Sequence, residues 1–263
     1  MTVAEALRAA SLDPREARLL LAAAAGFSQA SVLAHPERVL PEATWARYRE
    51  WAQRRAAGEP VAYILGRREF YGLELAVNPA VLIPRPETEL LVDVALEGAF
   101  SSALDLGTGC GAIALALKRN RSDAHITAVE ASAAALVVAK RNVARLGLDV
   151  ELLHGRWLGP VAGRRFDLVV SNPPYIAEGD PHLEALRHEP VGALVSGADG
   201  LDAMREIVPA ARRCLTAGGR LLVEHGMGQD EAVRALFRDA GLEDIRTRRD
   251  LAGIPRVTGG KVK

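Results

Sequence analysis

The chain has 263 residues, enough for one large domain or one medium and one small domain, and its composition, 49% hydrophobic and 25% charged, is typical of a globular protein. Lysine plus arginine and aspartate plus glutamate each number 33, and this zero net charge argues against stable nucleic acid binding. Neither Cys110 and Cys214 nor the histidines have metal-ligand spacing, so we expect no metal. We expect a cytoplasmic protein without membrane contact, because no signal pattern or long apolar run is present.

Helix-start signals are frequent at the N-terminal end of the chain. Residues 2–5 (Thr-Val-Ala-Glu) have the form of a capping box, and so do residues 13–16, where a proline occupies the first helical position. Pro41 opens another helical stretch, which runs to about Ala57. We therefore predict a small helical domain over residues 1–68.

The pattern then changes to alternating apolar and polar residues over 69–83, which predicts a short β-hairpin with its turn near Asn78-Pro79. We assign residues 69–85 as a hairpin linker. A helix is predicted over residues 87–96, at the start of a second, larger domain that spans residues 86–263.

Strands and helices alternate through most of this domain, as in an α/β doubly wound, Rossmann-like fold with a mostly parallel sheet. Two further strand-like pieces at the C-terminal end, residues 243–249 and 256–261, lack following helices and predict an antiparallel edge. The other predicted strands cover residues 102–106, 125–130, 150–154, 166–171 and 219–224, and helices are predicted to begin near Ala112, Ser132, Leu201 and Gln229.

A glycine-rich loop follows the first of these strands and leads into a helix. It has the form G-x-G-x-G and contains Gly107, Thr108, Gly109, Cys110 and Gly111. Glycines let the backbone turn tightly and approach a ligand closely. A carboxylate at the end of the second strand, Glu130, is well placed to accept hydrogen bonds from ribose hydroxyls. The spacing therefore predicts a nucleoside site.

Two cofactors compete for this loop. NAD places its pyrophosphate on the helix N-terminus, and the third glycine of its fingerprint is missing. S-adenosylmethionine has no phosphate and does not need that glycine. Asp105, just before the loop, is positioned either to pair with the ammonium group of that cofactor or to cap the loop's own amides.

The fourth strand of the predicted sheet ends in Asn172-Pro173-Pro174-Tyr175. The prolines lack N–H groups, so this backbone offers only carbonyl acceptors, and Asn172 adds a side-chain carbonyl. Such an array suits a planar –NH2 group, on which the Tyr175 ring would pack. Accepting hydrogen bonds from an amide nitrogen returns electron density to it and orients it for attack on a sulfonium methyl group. A rigid turn capped by asparagine is the competing interpretation.

These features together resemble the release factor glutamine methyltransferase family (HemK/PrmC) over nearly the whole chain. The most family-specific part is residues 83–89 (Ile-Pro-Arg-Pro-Glu-Thr-Glu), because Asn-Pro-Pro-Tyr alone also occurs in adenine and other glutamine methyltransferases. Residues 58–66, 188–190 and 256–258 carry the rest of the resemblance.

The resemblance implies N5-methylation of the glutamine in the Gly-Gly-Gln loop of class I peptide chain release factors, with S-adenosylmethionine as methyl donor. It implies that the helical domain helps recognise the release factor. Asn172, Pro173 and Tyr175 match the family's catalytic positions, and with Pro174 they match its glutamine site. Its cofactor site corresponds to Asp105, Gly107, Thr108, Gly109, Cys110, Gly111, Glu130, Trp157 and Asn172.

Trp157 follows the third strand, where the family's adenine pocket lies, so the resemblance implies that its indole stacks on adenine; a hydrophobic plug is the competing interpretation. Arg156 departs from the family pattern, because an acid that contacts the adenine amino group is more usual there. Cys110 is expected to be a packing residue.

Three other activities remain open at this stage: methylation of a ribosomal-protein glutamine, methylation of an adenine flipped out of a nucleic acid, and a non-catalytic binding module. The neutral charge argues against adenine, and the intact Asn-Pro-Pro-Tyr motif argues against a pure binding module.

Overall fold

A computed structural model describes all residues from Met1 to Lys263. The chain divides into two compact units, Met1–Arg67 and Arg68–Lys263. None of its helices combines the length and the apolar character that crossing a membrane requires.

The first unit is built from five helices, which confirms the predicted helical domain. They are α1 (Val3–Ala9), α2 (Pro14–Ala25), α3 (Gln29–Ala34), α4 (Glu42–Ala56) and α5 (Val61–Leu65). Local chemistry fixes their ends. Thr2 and Glu5 form both halves of a capping box at α1, and the Asp13 carboxylate caps two amides at the start of α2. Gly26 ends α2 in the left-handed conformation.

This helical unit has a hydrophobic core of its own, in which Leu20, Leu21 and Tyr48 are fully buried. The Tyr48 hydroxyl has no hydrogen-bond partner, and burial raises the pKa of the phenol to about 12. The apolar faces of the short helices are therefore satisfied within the unit.

A hairpin follows, formed by β1 (Arg67–Phe70) and β2 (Leu73–Ala76). The predicted turn near Asn78-Pro79 was wrong, because the chain reverses at Tyr71-Gly72. Both residues have positive φ, 52° and 74°, as a two-residue hairpin turn requires. Asn78 instead forms a separate turn, in which its side chain accepts a hydrogen bond from the Ala80 amide at 3.0 Å.

The helix predicted over residues 87–96 is a short 3-10 turn (Pro86–Thr88) that continues into α6 (Glu89–Leu96). Thr88 lies at the junction and is buried. The turn therefore holds a polar side chain inside the second unit.

The second unit is an α/β domain around a seven-stranded sheet of order β5-β4-β3-β6-β7-β9-β8. All pairings are parallel except those of β9 with β7 and β8, which confirms the doubly wound, mostly parallel sheet with an antiparallel C-terminal edge. The strands are β3 (Ser102–Leu106), β4 (His125–Glu130), β5 (Glu151–His154), β6 (Phe166–Ser171), β7 (Leu215–Glu224), β8 (Glu243–Arg249) and β9 (Pro255–Lys261), and the helices are α7 (Ala112–Asn120), α8 (Ala133–Leu146), α9 (Asp202–Cys214) and α10 (Asp230–Asp239).

The order of strands reverses between β3 and β6. The chain leaves β3 toward β4 on one side, whereas β6 continues toward β7 on the other. In open α/β sheets ligands bind beyond the carboxyl ends of the strands at such a point. Leu106 of β3 pairs with Ser171 of β6, so the loops that begin at Gly107 and Asn172 leave the sheet side by side.

Candidate active site

A cavity of about 760 Å³ opens at this reversal point, a volume within the range of small-molecule sites. Its walls also include residues 80–82 and parts of 190–197. Seven of the sequence-predicted site residues line it: Gly107, Gly109, Glu130, Trp157, Asn172, Pro173 and Pro174. The structure thus brings the glycine loop and the Asn-Pro-Pro segment to one cavity, whereas Asp105, Thr108, Cys110, Gly111 and Tyr175 lie outside its lining.

The backbone conformation of the glycines and two hydrogen bonds to β4 hold the glycine loop at the cavity. Gly107 and Gly109 have φ values of 73° and 58°, which side-chain-bearing residues rarely adopt. A Cβ on Gly107 would lie 3.4 Å from the Trp157 indole, so the glycine leaves the space over that ring open. The Gly107 and Thr108 amides both donate to the Val129 carbonyl, which anchors the loop on β4.

Asp105 lies behind the loop and is fully buried. Its Oδ2 accepts hydrogen bonds from the Thr108 hydroxyl at 2.6 Å and from the Ala114 amide at 3.2 Å, whereas Oδ1 has no partner. Burial raises the pKa of this carboxyl to about 7. Asp105 therefore holds a hydroxyl of the loop and an amide in the first turn of α7 and does not line the cavity, which argues against a direct contact with the cofactor's ammonium group.

Cys110 is buried and does not line the cavity, and burial raises the pKa of its thiol to about 12. Its carbonyl accepts a hydrogen bond at 2.9 Å from Asn142, a fully buried residue of α8. The same amide exchanges two hydrogen bonds with the Ala76 backbone at 2.7 and 3.0 Å. Asn142 therefore fixes the glycine loop to both α8 and the hairpin.

Glu130 projects from the end of β4 into the cavity wall. Its Oε2 accepts a hydrogen bond from the Gly109 amide and its Oε1 from the Ser132 amide, both at 2.8 Å. Each carboxylate oxygen has a second lone pair, so these contacts orient the group without exhausting its capacity. The carboxylate is thus pre-positioned to accept hydrogen bonds from two adjacent hydroxyls.

Trp157 has a φ of 46°, a left-handed conformation that is costly for an aromatic residue. Its indole lines the cavity, packs against the domain core and carries a buried N–H without a partner. Such strain occurs most often where a side chain must be presented in a specific place. The open space over Gly107 and this ring fit a flat heterocycle, and the neighbouring Glu130 fits its ribose.

Arg156, which departs from the family pattern, forms an ion pair with Glu206 of α9 at 2.5 Å. Both residues line the cavity and are largely exposed. The pair places the Glu206 carboxylate next to Arg156. An acid is more usual at position 156 in the family, whereas here the carboxylate comes from α9.

The Asn-Pro-Pro-Tyr segment begins where β6 ends. The Ser171 hydroxyl donates to the Leu106 carbonyl at 2.7 Å, which ties this segment to the start of the glycine loop. Asn172 donates from Nδ2 to the Thr88 hydroxyl oxygen at 3.0 Å. Its Oδ1 remains available for a ligand in the cavity.

Tyr175 lies behind this segment. Its hydroxyl is 3.4 Å from the Glu224 Oε1, and burial raises the pKa of the phenol. Glu224 itself is buried at the end of β7, with Oε2 unpartnered. The position of Tyr175 favours support of the segment from behind over direct packing on a substrate amide.

Glu189 is buried and directly precedes the residues of 190–197 that line the cavity. Its carboxylate accepts a hydrogen bond from the Ile83 amide at 3.1 Å and forms an ion pair with Arg85. Because Leu82 and Pro190 line the cavity, this contact joins two of its walls.

The site contains three polar residues that sequence reasoning missed: Thr88, Asn142 and Glu224. Glu224 carries the same signal as Glu130, an acid at the carboxyl end of a parallel strand. Thr88 and Asn142 carry no comparable signal, because their partners are distant in sequence.

Comparison with known proteins identifies two family models in the chain. Residues 2–66 match the PrmC N-terminal domain, and residues 86–189 match the methyltransferase small domain. Full-length relatives named release factor glutamine methyltransferase include a Burkholderia pseudomallei protein, 48% identical over 99% of this chain and 96% of that protein, and a Bordetella pertussis protein, 49% identical over 99% of each.

Solved structures share the fold at lower identity. A T. thermophilus 16S rRNA N2 G1207 methyltransferase, determined with AdoMet and guanosine, superimposes with a TM-score of 0.57 at 20% identity. The match covers 75% of this chain and 50% of that one, and it supports the methyltransferase-type sheet.

Proposed function

Because this chain belongs to the release factor glutamine methyltransferase family, we propose that it transfers a methyl group from S-adenosylmethionine to the side-chain amide nitrogen of the Gly-Gly-Gln glutamine in class I release factors. One observation carries the amide chemistry. Asn172 turns Nδ2 inward to Thr88, so its free acceptor Oδ1 remains beside the glycine-loop cavity.

The cavity residues fit the cofactor in three ways. The Glu130 carboxylate would accept hydrogen bonds from the ribose hydroxyls, and the Trp157 indole would offer a face for adenine. Gly107 and Gly109 let the backbone approach without a Cβ in the way. When bound, S-adenosylmethionine supplies a methyl group on a positively charged sulfur.

Asn172 and Pro173 then hold the substrate amide. An amide nitrogen is a poor nucleophile because its lone pair is delocalised into the carbonyl group. When the Asn172 Oδ1 and the Pro173 carbonyl accept hydrogen bonds from its two N–H groups, electron density returns to nitrogen and its orientation is fixed. Positioning and electrostatics therefore carry the rate.

No strong base is required by this arrangement. Transfer forms a nitrogen–carbon bond and breaks the carbon–sulfur bond, so that S-adenosylhomocysteine is left as the product of the donor. The methylated amide carries a positive charge until it loses a proton, and in that form it is a far stronger acid than the free amide. It can then release a proton to water or to a neighbouring acceptor. Pro174 and Tyr175 keep the segment rigid, because Pro174 has a fixed φ and Tyr175 is anchored near Glu224.

For the helical unit we propose a role in recognising the release factor. The match of residues 2–66 to the PrmC N-terminal domain supports this assignment. The unit has its own core, so its surface is available for specificity without being needed to build the catalytic domain.

The proposal is tested by methyl transfer from labelled S-adenosylmethionine to purified class I release factor, with the same factor carrying Gln→Ala in its Gly-Gly-Gln loop as control. Label on the unaltered factor alone supports the amide target. Equal label on both, or none on either with cofactor binding intact, would overturn it and favour a ribosomal-protein or adenine substrate.

A further inference from the structure

A buried chain of polar groups runs from the cavity into the domain interior. The Asn172 Nδ2 donates to the Thr88 Oγ1 at 3.0 Å. The Thr88 hydroxyl also acts on the Glu224 carboxyl as a hydrogen-bond donor that lowers its pKa, against the larger effect of burial. Thr88 is 4% exposed and Glu224 is 1% exposed, so water does not compete for these contacts. These three polar groups connect the 3-10 turn before α6, the end of β6 and the end of β7.

The chemistry of the three groups fixes which group donates and which accepts in each of these hydrogen bonds. A carboxylate only accepts hydrogen bonds, so the single hydroxyl proton of Thr88 is committed to Glu224. The Thr88 oxygen can then only accept from Asn172. Of the two ends of the Asn172 amide, only the –NH2 end can satisfy it, and Oδ1 must face the other way.

This order of donors and acceptors decides what the cavity presents to a substrate amide. If Asn172 were rotated by 180°, its –NH2 group would face the –NH2 group of the substrate, and two donors would oppose each other. An asparagine alone has no strong preference between the two orientations. We propose that Thr88 and Glu224 are positioning residues that lock Asn172 as a hydrogen-bond acceptor, an inference that rests on the proposed function.

The charge of Glu224 makes the lock sensitive to pH. Burial raises the pKa of this carboxyl to about 7, against the lowering effect of hydrogen bonds from Thr88 and Tyr175 and of the Arg256 charge; Glu87 raises it further. The adjacent His225 is neutralised by burial, which lowers its pKa, and its ring is bonded to Thr258 instead. A protonated Glu224 can donate to Thr88, which frees the hydroxyl proton and removes the fixed order of donors and acceptors.

Two substitutions at Thr88 test the proposal. Thr88→Val keeps the shape and removes the hydroxyl, whereas Thr88→Ser keeps the hydroxyl. We expect Thr88→Val to lower kcat about ten- to a hundredfold with an unchanged KM for S-adenosylmethionine, somewhat less than the loss of a direct oxyanion donor. Thr88→Ser should retain most of the activity.

The matched control is Thr127→Val, which removes a buried hydroxyl that donates to Glu151 at 2.8 Å outside the cavity lining. It should leave kcat unchanged, and melting temperatures of all variants report on folding. The pH profile of kcat supplies a readout that a purely structural role would not move. In the unaltered enzyme kcat should rise as the pH passes through about 7, and in Thr88→Val this limb should be lost.

Thr88→Val with the kcat and the acid limb of the unaltered enzyme would overturn the inference alone. Equal losses in Thr88→Val and Thr88→Ser would also overturn it, because the hydroxyl would then not be the acting group. Absence of turnover in the unaltered enzyme, despite cofactor binding, would instead overturn the proposed function and the inference with it.

Discussion

The Glu130 carboxylate accepts a hydrogen bond from the Gly109 amide at 2.8 Å, which couples the end of the second parallel strand to the glycine loop. The same group is the proposed partner of the cofactor ribose. Loss of its charge should therefore affect both the loop and the ligand.

We expect Glu130→Gln to weaken S-adenosylmethionine binding about ten- to a hundredfold, because a hydrogen bond to a charged group contributes about 1.5–3 kcal/mol. Titration calorimetry measures this change. Glu151→Gln is the matched control, since that carboxylate pairs with Arg164 and does not line the cavity. Unchanged affinity in Glu130→Gln would contradict the ribose assignment.

Substitutions of Trp157 test whether its indole stacks on the adenine of the cofactor. Trp157→Phe keeps an aromatic face and should bind the cofactor with affinity reduced only severalfold, whereas Trp157→Ala should lose about 1–3 kcal/mol of binding free energy, as stacking on a base contributes. Affinity is measured together with the melting temperature, because the indole also packs against the core. If both variants bind equally well and only the melting temperature falls, the indole is a hydrophobic plug.

Substitution of Asn172 distinguishes an effect on the chemical step from an effect on cofactor binding. Asn172→Ala removes the acceptor Oδ1, and we expect kcat to fall about 10²- to 10³-fold, as for loss of a group that acts in the transition state. Because Asn172 also lines the cofactor cavity, a modest rise in the KM for S-adenosylmethionine is expected. Single-turnover kinetics at saturating cofactor isolate the chemical step. A kcat within a factor of about two of the unaltered enzyme would contradict a role in transition-state stabilisation.

Titration of Asp105 should make the folded protein less stable as the pH rises from about 4 to about 7. Its pKa is raised to about 7 in the folded protein from an ordinary value of 3.8, mainly by burial. Its stabilising contribution is therefore complete below pH 3.8 and is lost as the pH rises toward 7. Relative to Asp105→Asn, the unaltered protein should lose melting temperature progressively over this interval.

Titration of Asp167 should change stability with pH in the opposite direction, so this residue serves as the comparison. Hydrogen bonds from Ser101 lower the pKa of its carboxyl to about 2 in the folded protein. Its contribution is therefore present above pH 3.8 and is lost as the pH falls through about 2. Melting curves of Asp167→Asn should show a deficit at neutral pH that shrinks in acid. The same slope for both variants would show that global charge governs the trend.

Much of the fold was predictable because its signals are local. The capping box of Thr2 and Glu5, the buried apolar strands and the glycine loop each specify their structure within a few residues. The hairpin turn was not predictable in this way. Tyr71 adopts a positive φ without being glycine or asparagine, whereas Asn78-Pro79 carries a stronger turn signal and joins no strands.

The same distinction applies to the site. Gly107, Glu130 and Asn172 end or follow strands, so the topology of a doubly wound sheet brings them together. The contact of Thr88 with Asn172 joins residues 84 positions apart, and it arises from packing that no local pattern encodes. Asp105 and Tyr175 show the converse: their motifs are local, but the structure places both behind the loops that they support.

The position of the methyl group on the product tests the central claim most directly. Release factor incubated with the enzyme and S-adenosylmethionine is digested, and the peptide that contains Gly-Gly-Gln is fragmented by mass spectrometry. The account predicts one added methyl group on the side-chain amide nitrogen of that glutamine, and none when the enzyme carries Asn172→Ala at matched short times. A methyl group on any other residue, or on the glutamine at equal rates with both enzymes, would contradict it.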